Sequence, residues 1–276
     1  MNKCGKPCGQ RVFGHPCFGE SGTYHSRGRI HLPVAPACNI KCKYCVRKHD
    51  CVNENRPGVT SRLITPSEAV QRTKESLIRE PRIGVAAIAG PGDALANAAT
   101  FETLRLVHQE FPHLIKCVST NGLLLPDCLD LLLEARVTHL TVTTNAVDIS
   151  VGKQIYSWVI YQGRILFGED AFRLLSAHQL EGIRIAAKMG IVVKINSVLI
   201  PGINDEHLIE VAQAVAEEGA NIMNIMKLIP QGELAGRRAP SDHELSKVQH
   251  QCELFIQQFR GCQRCRADAI GMLAAK

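Results

Sequence analysis

Six apolar runs rich in β-branched residues, at 30–34, 85–89, 115–118, 139–144, 192–199 and 222–228, alternate with stretches of helical character. This alternation constrains the fold more than any other feature of the chain. Two of the helices carry explicit start signals. Thr65-Pro66-Ser67-Glu68 combines a capping box with proline at the first helical position, and Ser241-Asp242-His243-Glu244 is a second capping box. A third helix is predicted from about Asp205, where Leu208, Ile209, Ala212, Val215 and Ala216 recur at the spacing of one buried face. Strands alternating with helices imply a parallel sheet with right-handed crossovers. Six units are too few for a closed eight-fold barrel. The predicted architecture is therefore α/β, a partial, open (β/α)6 barrel over residues 29–259. Cysteine-bearing extensions flank it at 1–28 and 260–276.

In such folds chemistry sits on the loops after the strand C-termini, and here those loops hold the unusual residues. The run 36–45 follows the first strand, Gly90-Pro91-Gly92-Asp93 the second, Ser119-Thr120-Asn121-Gly122 the third and Asn145-Ala146-Val147-Asp148 the fourth. Pro201-Gly202-Ile203-Asn204 and Pro230-Gln231-Gly232-Glu233 follow the last two. Six strands ending on six such loops point to one site.

Cysteine usage narrows the chemistry. The chain has 12 cysteines in 276 residues, and its amino terminus lacks the apolar core of a signal peptide. A cytoplasmic location is expected, where metal ligation or catalysis is a better default for cysteine than disulfides. No segment is apolar enough to span a bilayer. The formal net charge of +6 raises nucleic acid as a partner. Anionic thiolate-ligated clusters and an ordinary basic surface account for it as well, and neither nucleic acid nor membrane is expected as a partner.

Within the first loop, Cys38, Cys42 and Cys45 stand at spacings of four and three. A short loop so spaced wraps a [4Fe–4S] cubane with one thiolate on each of three irons, leaving the fourth iron open. S-adenosylmethionine (SAM) can chelate that iron, and an electron from the cluster then yields a 5′-deoxyadenosyl radical. The competing reading is a zinc site, with Cys51 completing four thiolates.

The CxxxCxxC loop, with Tyr44 before the third cysteine, resembles the radical SAM superfamily. His15-Pro16-Cys17-Phe18, the run 28–36, Arg56-Pro57-Gly58-Val59-Thr60, Gly90-Pro91-Gly92-Asp93, Ser119-Thr120-Asn121-Gly122, Asn145-Ala146-Val147-Asp148 and the run 262–269 together are similar to the nitrogenase cofactor biosynthesis family NifB. The resemblance runs from about His15 to Met272. Ala94 and Ile149 stand where that family usually has proline. Many of its members carry a further carboxy-terminal cluster-binding domain, so a separate carrier is expected to take over cluster transfer here.

The resemblance implies two auxiliary [4Fe–4S] clusters fused into a product, with Cys17, Cys51, Cys117, Cys262 and Cys265 at matching positions. Cys262 and Cys265 also form a two-residue-gap pair suited to adjacent irons, whereas Cys117 alone reads as a core cysteine. Five cysteines are too few for two cubanes, so a histidine ligand is expected: His15 first, His25 and His31 after it. Cys4, Cys8, Cys128 and Cys252 fit no motif, and the last two read as packing, as His108 and His178 read as ordinary residues. For SAM, Gly92 would permit close backbone approach and Asp93 would meet the ammonium. Thr143, Thr144 and Asn145 are candidates for the ribose, and Ile200 and Tyr44 for the adenine. Arg29, Arg56, Lys194 and Lys227 are candidates to neutralise cluster charge.

The leading function implied is a maturase that fuses two clusters around a SAM-derived carbide, the iron–sulfur core precursor of the nitrogenase iron–molybdenum cofactor. Its expected partners are a cluster donor, a cofactor carrier and an electron donor protein. Two alternatives stand beside it: a radical SAM enzyme on a small molecule or peptide with auxiliary clusters as relays, and a non-catalytic iron–sulfur or zinc scaffold.

Overall fold

A computed structural model gives the architecture and describes residues 14–19, 27–51, 59–261 and 266–272. Six parallel strands form the body of the sheet: β1 (Gly28–His31), β3 (Ile83–Ile88), β4 (Ile115–Thr120), β5 (Val137–Thr143), β8 (Val192–Leu199) and β9 (Ile222–Lys227). They are the six expected runs, in sequential order and curled into a half-barrel. Helices α1 (Pro66–Arg79), α2 (Ala98–Glu110), α3 (Leu125–Glu134), α5 (Gly168–Lys188) and α6 (Leu208–Glu217) make the crossovers, and α7 (Asp242–Cys252) follows β9. Both expected capping boxes form, at Thr65/Glu68 and Ser241/Glu244. Helix α6 begins at Leu208 rather than Asp205. Asp205 instead accepts the Gly202 N–H at 3.0 Å, which holds 201–207 in turns.

The main apolar core lies between sheet and helices. Ile30, Ala86, Ile88, Val118, Leu140, Val142, Val193 and Ile195 point outward from the strands into it. Alternation then turns their neighbours inward. The barrel interior is thus lined by Arg29, His31, Cys117, His139, Thr141, Lys194, Asn196 and Asn224, all buried. Both sheet edges are covered, as unpaired edges require. The strand β10 (Ile270–Gly271) pairs antiparallel with β1, and the segment 257–259 exchanges backbone hydrogen bonds with Met223 of β9.

A second sheet was not expected. The short β2 (Ile40–Cys42), inside the cysteine loop, pairs antiparallel with β6 (Tyr156–Tyr161), which forms a hairpin with β7 (Arg164–Phe167). The hairpin turn puts Gln162 and Gly163 at φ +49° and +73°, the left-handed pair that a two-residue turn needs. The short helix α4 (Ile149–Ile155) leads into it.

Candidate functional site

Cys38, Cys42, Cys45 and Cys51 line one cavity at the C-terminal end of the sheet, together with Gly92, Asp93, Ser119, Thr120 and Asn121. The loops after the first three strands therefore converge, as the sequence implied. Three devices hold the cysteine loop. Arg47 donates to the Ile40 carbonyl at 2.7 Å and the Cys38 carbonyl at 3.3 Å, and Lys41 donates to the Cys45 carbonyl at 2.6 Å. Asn121 donates through Nδ2 to Asn39 Oδ1 at 2.7 Å, with Cys38 Sγ at 3.8 Å from the same nitrogen. Two glycines press on the loop backbone from either side. A Cβ at Gly92 would lie 2.2 Å from the Ala37 oxygen, and one at Gly232, where φ is +58°, 2.6 Å from the Lys43 oxygen. Gly92 is thus required by the chain's own backbone.

Cys42 is buried, and Cys38, Cys45 and Cys51 are half-buried. Burial, and after it the Asp93 carboxylate, pushes the Cys38 thiol up, while Arg47 opposes the shift. Burial likewise pushes Cys42 up, reinforced by Cys45 and Cys38. Buried thiolates are favoured only when a cation arrives to pair with them, so this donor set suits a metal centre. Among the described residues, no three His, Cys, Asp or Glu side chains converge on one ion-sized point. A cluster does not ask for that, since each ligand meets a different iron.

Of the expected SAM contacts, Tyr44, Gly92 and Asp93 line this cavity, and Thr143, Thr144, Asn145 and Ile200 are not among its lining residues. Asp93 is buried, and its carboxylate accepts from the Asn121 N–H at 2.5 Å, the Leu95 N–H at 3.0 Å and the Thr120 hydroxyl at 3.0 Å. Burial raises its pKa, against the pull of those donors. Asn145 donates to the Tyr44 and Tyr156 hydroxyls at 2.8 and 2.9 Å and accepts from the Val198 N–H at 2.8 Å. Tyr44 and Ile200 belong to the apolar cluster beneath the loop. The Thr143 and Thr144 hydroxyls are buried with no partner.

A second constellation sits inside the barrel. Cys117 faces inward and packs in one apolar cluster with Phe18 and Phe259, against which Cys17 also lies. The His15 ring stands 4.6 Å from Phe18 and 4.9 Å from His139, whose strand position is directly opposite Cys117. His15 Nδ1 accepts the Cys17 N–H at 3.0 Å, while its Nε2 is buried without a partner. Lys194 lies over the Phe18 and Phe259 rings and donates to the Cys17 carbonyl at 3.4 Å. Arg29 donates to the Gly271 carbonyl and His31 Nδ1 meets the Arg266 carbonyl, so both tie the tail to the barrel. Cys262, Cys265, Cys4, Cys8, His25 and Arg56 lie outside the described residues.

Other expectations resolve plainly. Cys128 and Cys252 are packing residues of the main core. Lys227 pairs with Asp242 at 2.7 Å. His108 meets Lys116 Nζ at 2.8 Å, and His178 Nδ1 meets the Leu123 carbonyl at 2.7 Å. Sequence reasoning passed over His139, Arg47 and His207. His207 Nε2 accepts the Val147 and Asp148 N–H groups at 3.0 and 3.3 Å, and its Nδ1 faces Glu210 at 3.0 Å. It fixes the loop after β5.

A family model described as the radical SAM superfamily matches residues 32–215, from just after β1 through most of α6. The chain belongs to the radical SAM superfamily. Membership implies a [4Fe–4S] cluster and SAM as cofactors, which sets the zinc reading aside. The chain is 47% identical over 271 residues to the FeMo cofactor biosynthesis protein NifB of Bradyrhizobium diazoefficiens, covering 96% of this chain and 54% of the relative. It is 48% identical to the NifB of Klebsiella pneumoniae, covering 95% and 58%. The chain thus spans a little over half the length of these curated relatives. Among solved structures, Streptococcus suis SuiB superimposes with a TM-score of 0.57 at 13% identity, over 82% of this chain and 46% of that one. That likeness concerns the radical SAM fold alone. Among the described residues, no helix is long and apolar enough to cross a membrane.

Proposed function

We propose that the chain is a radical SAM maturase that fuses two [4Fe–4S] clusters around a carbon taken from the SAM methyl group, giving the iron–sulfur core precursor of the nitrogenase cofactor. The observation that carries this reading is that His15, Cys17 and Cys117 pack around one cluster with Phe18, where they are candidate donors apart from the Cys38–Cys45 triad. Near-full-length likeness of this chain to NifB proteins supports it.

Cys38, Cys42 and Cys45 would hold the SAM cluster. When bound, that cluster supplies the electron that cleaves SAM to methionine and a 5′-deoxyadenosyl radical. The residues around it do the positioning. Arg47, Lys41 and Asn121 fix the loop and set cationic and dipolar groups against an anionic centre. Asn145 braces Tyr44 behind the third cysteine. The Thr143 and Thr144 hydroxyls are left to receive a polar ligand. Gly92 and Asp93 serve SAM by shaping the cavity.

Cys17, Cys117 and His15 would receive one substrate cluster, and Cys51, Cys262 and Cys265 are the remaining candidate ligands. His15 accepts through Nδ1, so its neutral ring carries hydrogen on Nε2. Ligation through Nε2 would move that proton and deprive the Cys17 N–H of its acceptor, which couples loading to the 15–17 turn. Partners under this reading are a cluster donor, a cofactor carrier and an electron donor, in the cytoplasm.

The test replaces Cys38, Cys42 and Cys45 together with alanine. The variant is expected to bind iron at the auxiliary positions yet form no 5′-deoxyadenosine. Formation at the parent rate would remove the triad from the mechanism.

A further inference from the structure

We propose that the outer face of the β2–β6–β7 sheet is the docking surface for an acidic one-electron donor protein. The inference rests on the reading that the triad holds the SAM cluster. Register places Trp158 opposite both Lys41 and Phe167, and Ile160 opposite Ile165. Pleating puts Ile40 and Val159 on the other face, in the buried cluster beneath the loop. The outer face therefore carries Lys41, Trp158, Ile160, Ile165 and Phe167 side by side. Ile160, Ile165 and Phe167 are 38%, 55% and 63% exposed. Single exposed apolar residues are ordinary, whereas a cross-strand row ending on the chain's one tryptophan is the composition of an interaction surface.

Charge selects the occupant. Lys41, Lys43, Arg47 and Lys48 all fall between Cys38 and His49, and no carboxylate does. Two nearby acids are already engaged. Glu169, just after Phe167, pairs with Lys153 at 2.9 Å, and Glu233 accepts from Ser157 at 3.0 Å. An acidic partner is steered to such a rim, and contact area forms around the aromatic centre.

Position selects the function. β2 is itself part of the cysteine loop, and Lys41 joins the face to the site by its bond to the Cys45 carbonyl. A single sheet separates a docked protein from the triad. Each SAM cleavage consumes one electron, which the donor loses and the triad centre gains, and no bond forms or breaks between the proteins.

The experiment compares parent and the Ile165→Asp, Phe167→Asp double variant, each loaded with iron and sulfide to measured content. The reductants are a tryptophan-free acidic four-iron ferredoxin and dithionite. The variant is expected to form 5′-deoxyadenosine at least tenfold more slowly with limiting ferredoxin, and within twofold of parent with dithionite. In iron-free protein, ferredoxin is expected to shift the emission of Trp158 in the parent and not in the variant. Equal ferredoxin-driven rates, or unshifted parent emission, would overturn the proposal. So would equal losses with both reductants, or a loss of iron content, which would point to a cluster-delivery partner. A parent that forms no 5′-deoxyadenosine with dithionite would instead strike the triad reading beneath it.

Discussion

Asn145 offers a measurable test of how the site is braced. Its side chain makes three buried hydrogen bonds, to Tyr44, Tyr156 and the Val198 N–H. Both tyrosines are at most 2% exposed, so water does not replace a lost partner at either hydroxyl. Asn145→Ala leaves three polar groups without that partner. Each unmade buried bond costs about 1–3 kcal/mol, and rotation of the two hydroxyls recovers part of it. A loss of about 3–5 kcal/mol is expected, a large share of the ~5–15 kcal/mol that holds a domain folded. Urea unfolding of iron-free protein measures it, alongside SAM calorimetry on loaded protein. If stability fell by less than about 1 kcal/mol while SAM affinity vanished, Asn145 would be a SAM ligand and the bracing argument would be refuted.

Three further outcomes follow from the same geometry. Gly92→Ala sets a Cβ against the Ala37 carbonyl, so iron bound at the triad and SAM affinity should fall together; normal iron content in that variant would contradict it. His207→Ala strips the Val147 and Asp148 N–H groups of their acceptor and should weaken SAM binding about tenfold at two lost bonds, whereas His207→Gln, which keeps an acceptor oxygen, should restore most of it. Burial pushes the Cys252 thiol up to about 12. The unfolded chain therefore ionises this thiol first, and stability is full below about pH 9 and lost as pH rises toward 12. Cys252→Ala should flatten that alkaline limb in urea titrations at stepped pH.

The strands of the half-barrel were legible because the β-branched and other apolar residues that face the main core recur at strand spacing, with the polar lining of the interior between them. The loops after them were legible because their glycines, asparagines and prolines interrupt that pattern. The β6–β7 hairpin left a signal that was not used: alternating aromatic and β-branched residues from Tyr156 to Tyr161, then Gln162-Gly163. The roles of Arg47, His207 and Asn145 were out of reach of pattern reading. Their partners are mainly backbone groups, or tyrosines distant in sequence, which identity and spacing do not announce. The same holds for Gly92, whose smallness serves the Ala37 carbonyl, and for Asp93, whose oxygens meet Asn121, Thr120 and Leu95. His139 reads as an ordinary strand histidine until β4–β5 register sets it opposite Cys117.

The most direct test of the maturase reading follows the carbon of the SAM methyl group. Loaded protein is supplied with methyl-labelled SAM, a reductant and limiting iron and sulfide, and the label is traced through products. The account predicts S-adenosylhomocysteine and 5′-deoxyadenosine formed together. Label should enter an acid-labile iron–sulfur species that activates cofactor-deficient nitrogenase, and turnover should stop when auxiliary clusters are spent. Recovery of all the label in methionine, with those clusters intact after many turnovers, would contradict it.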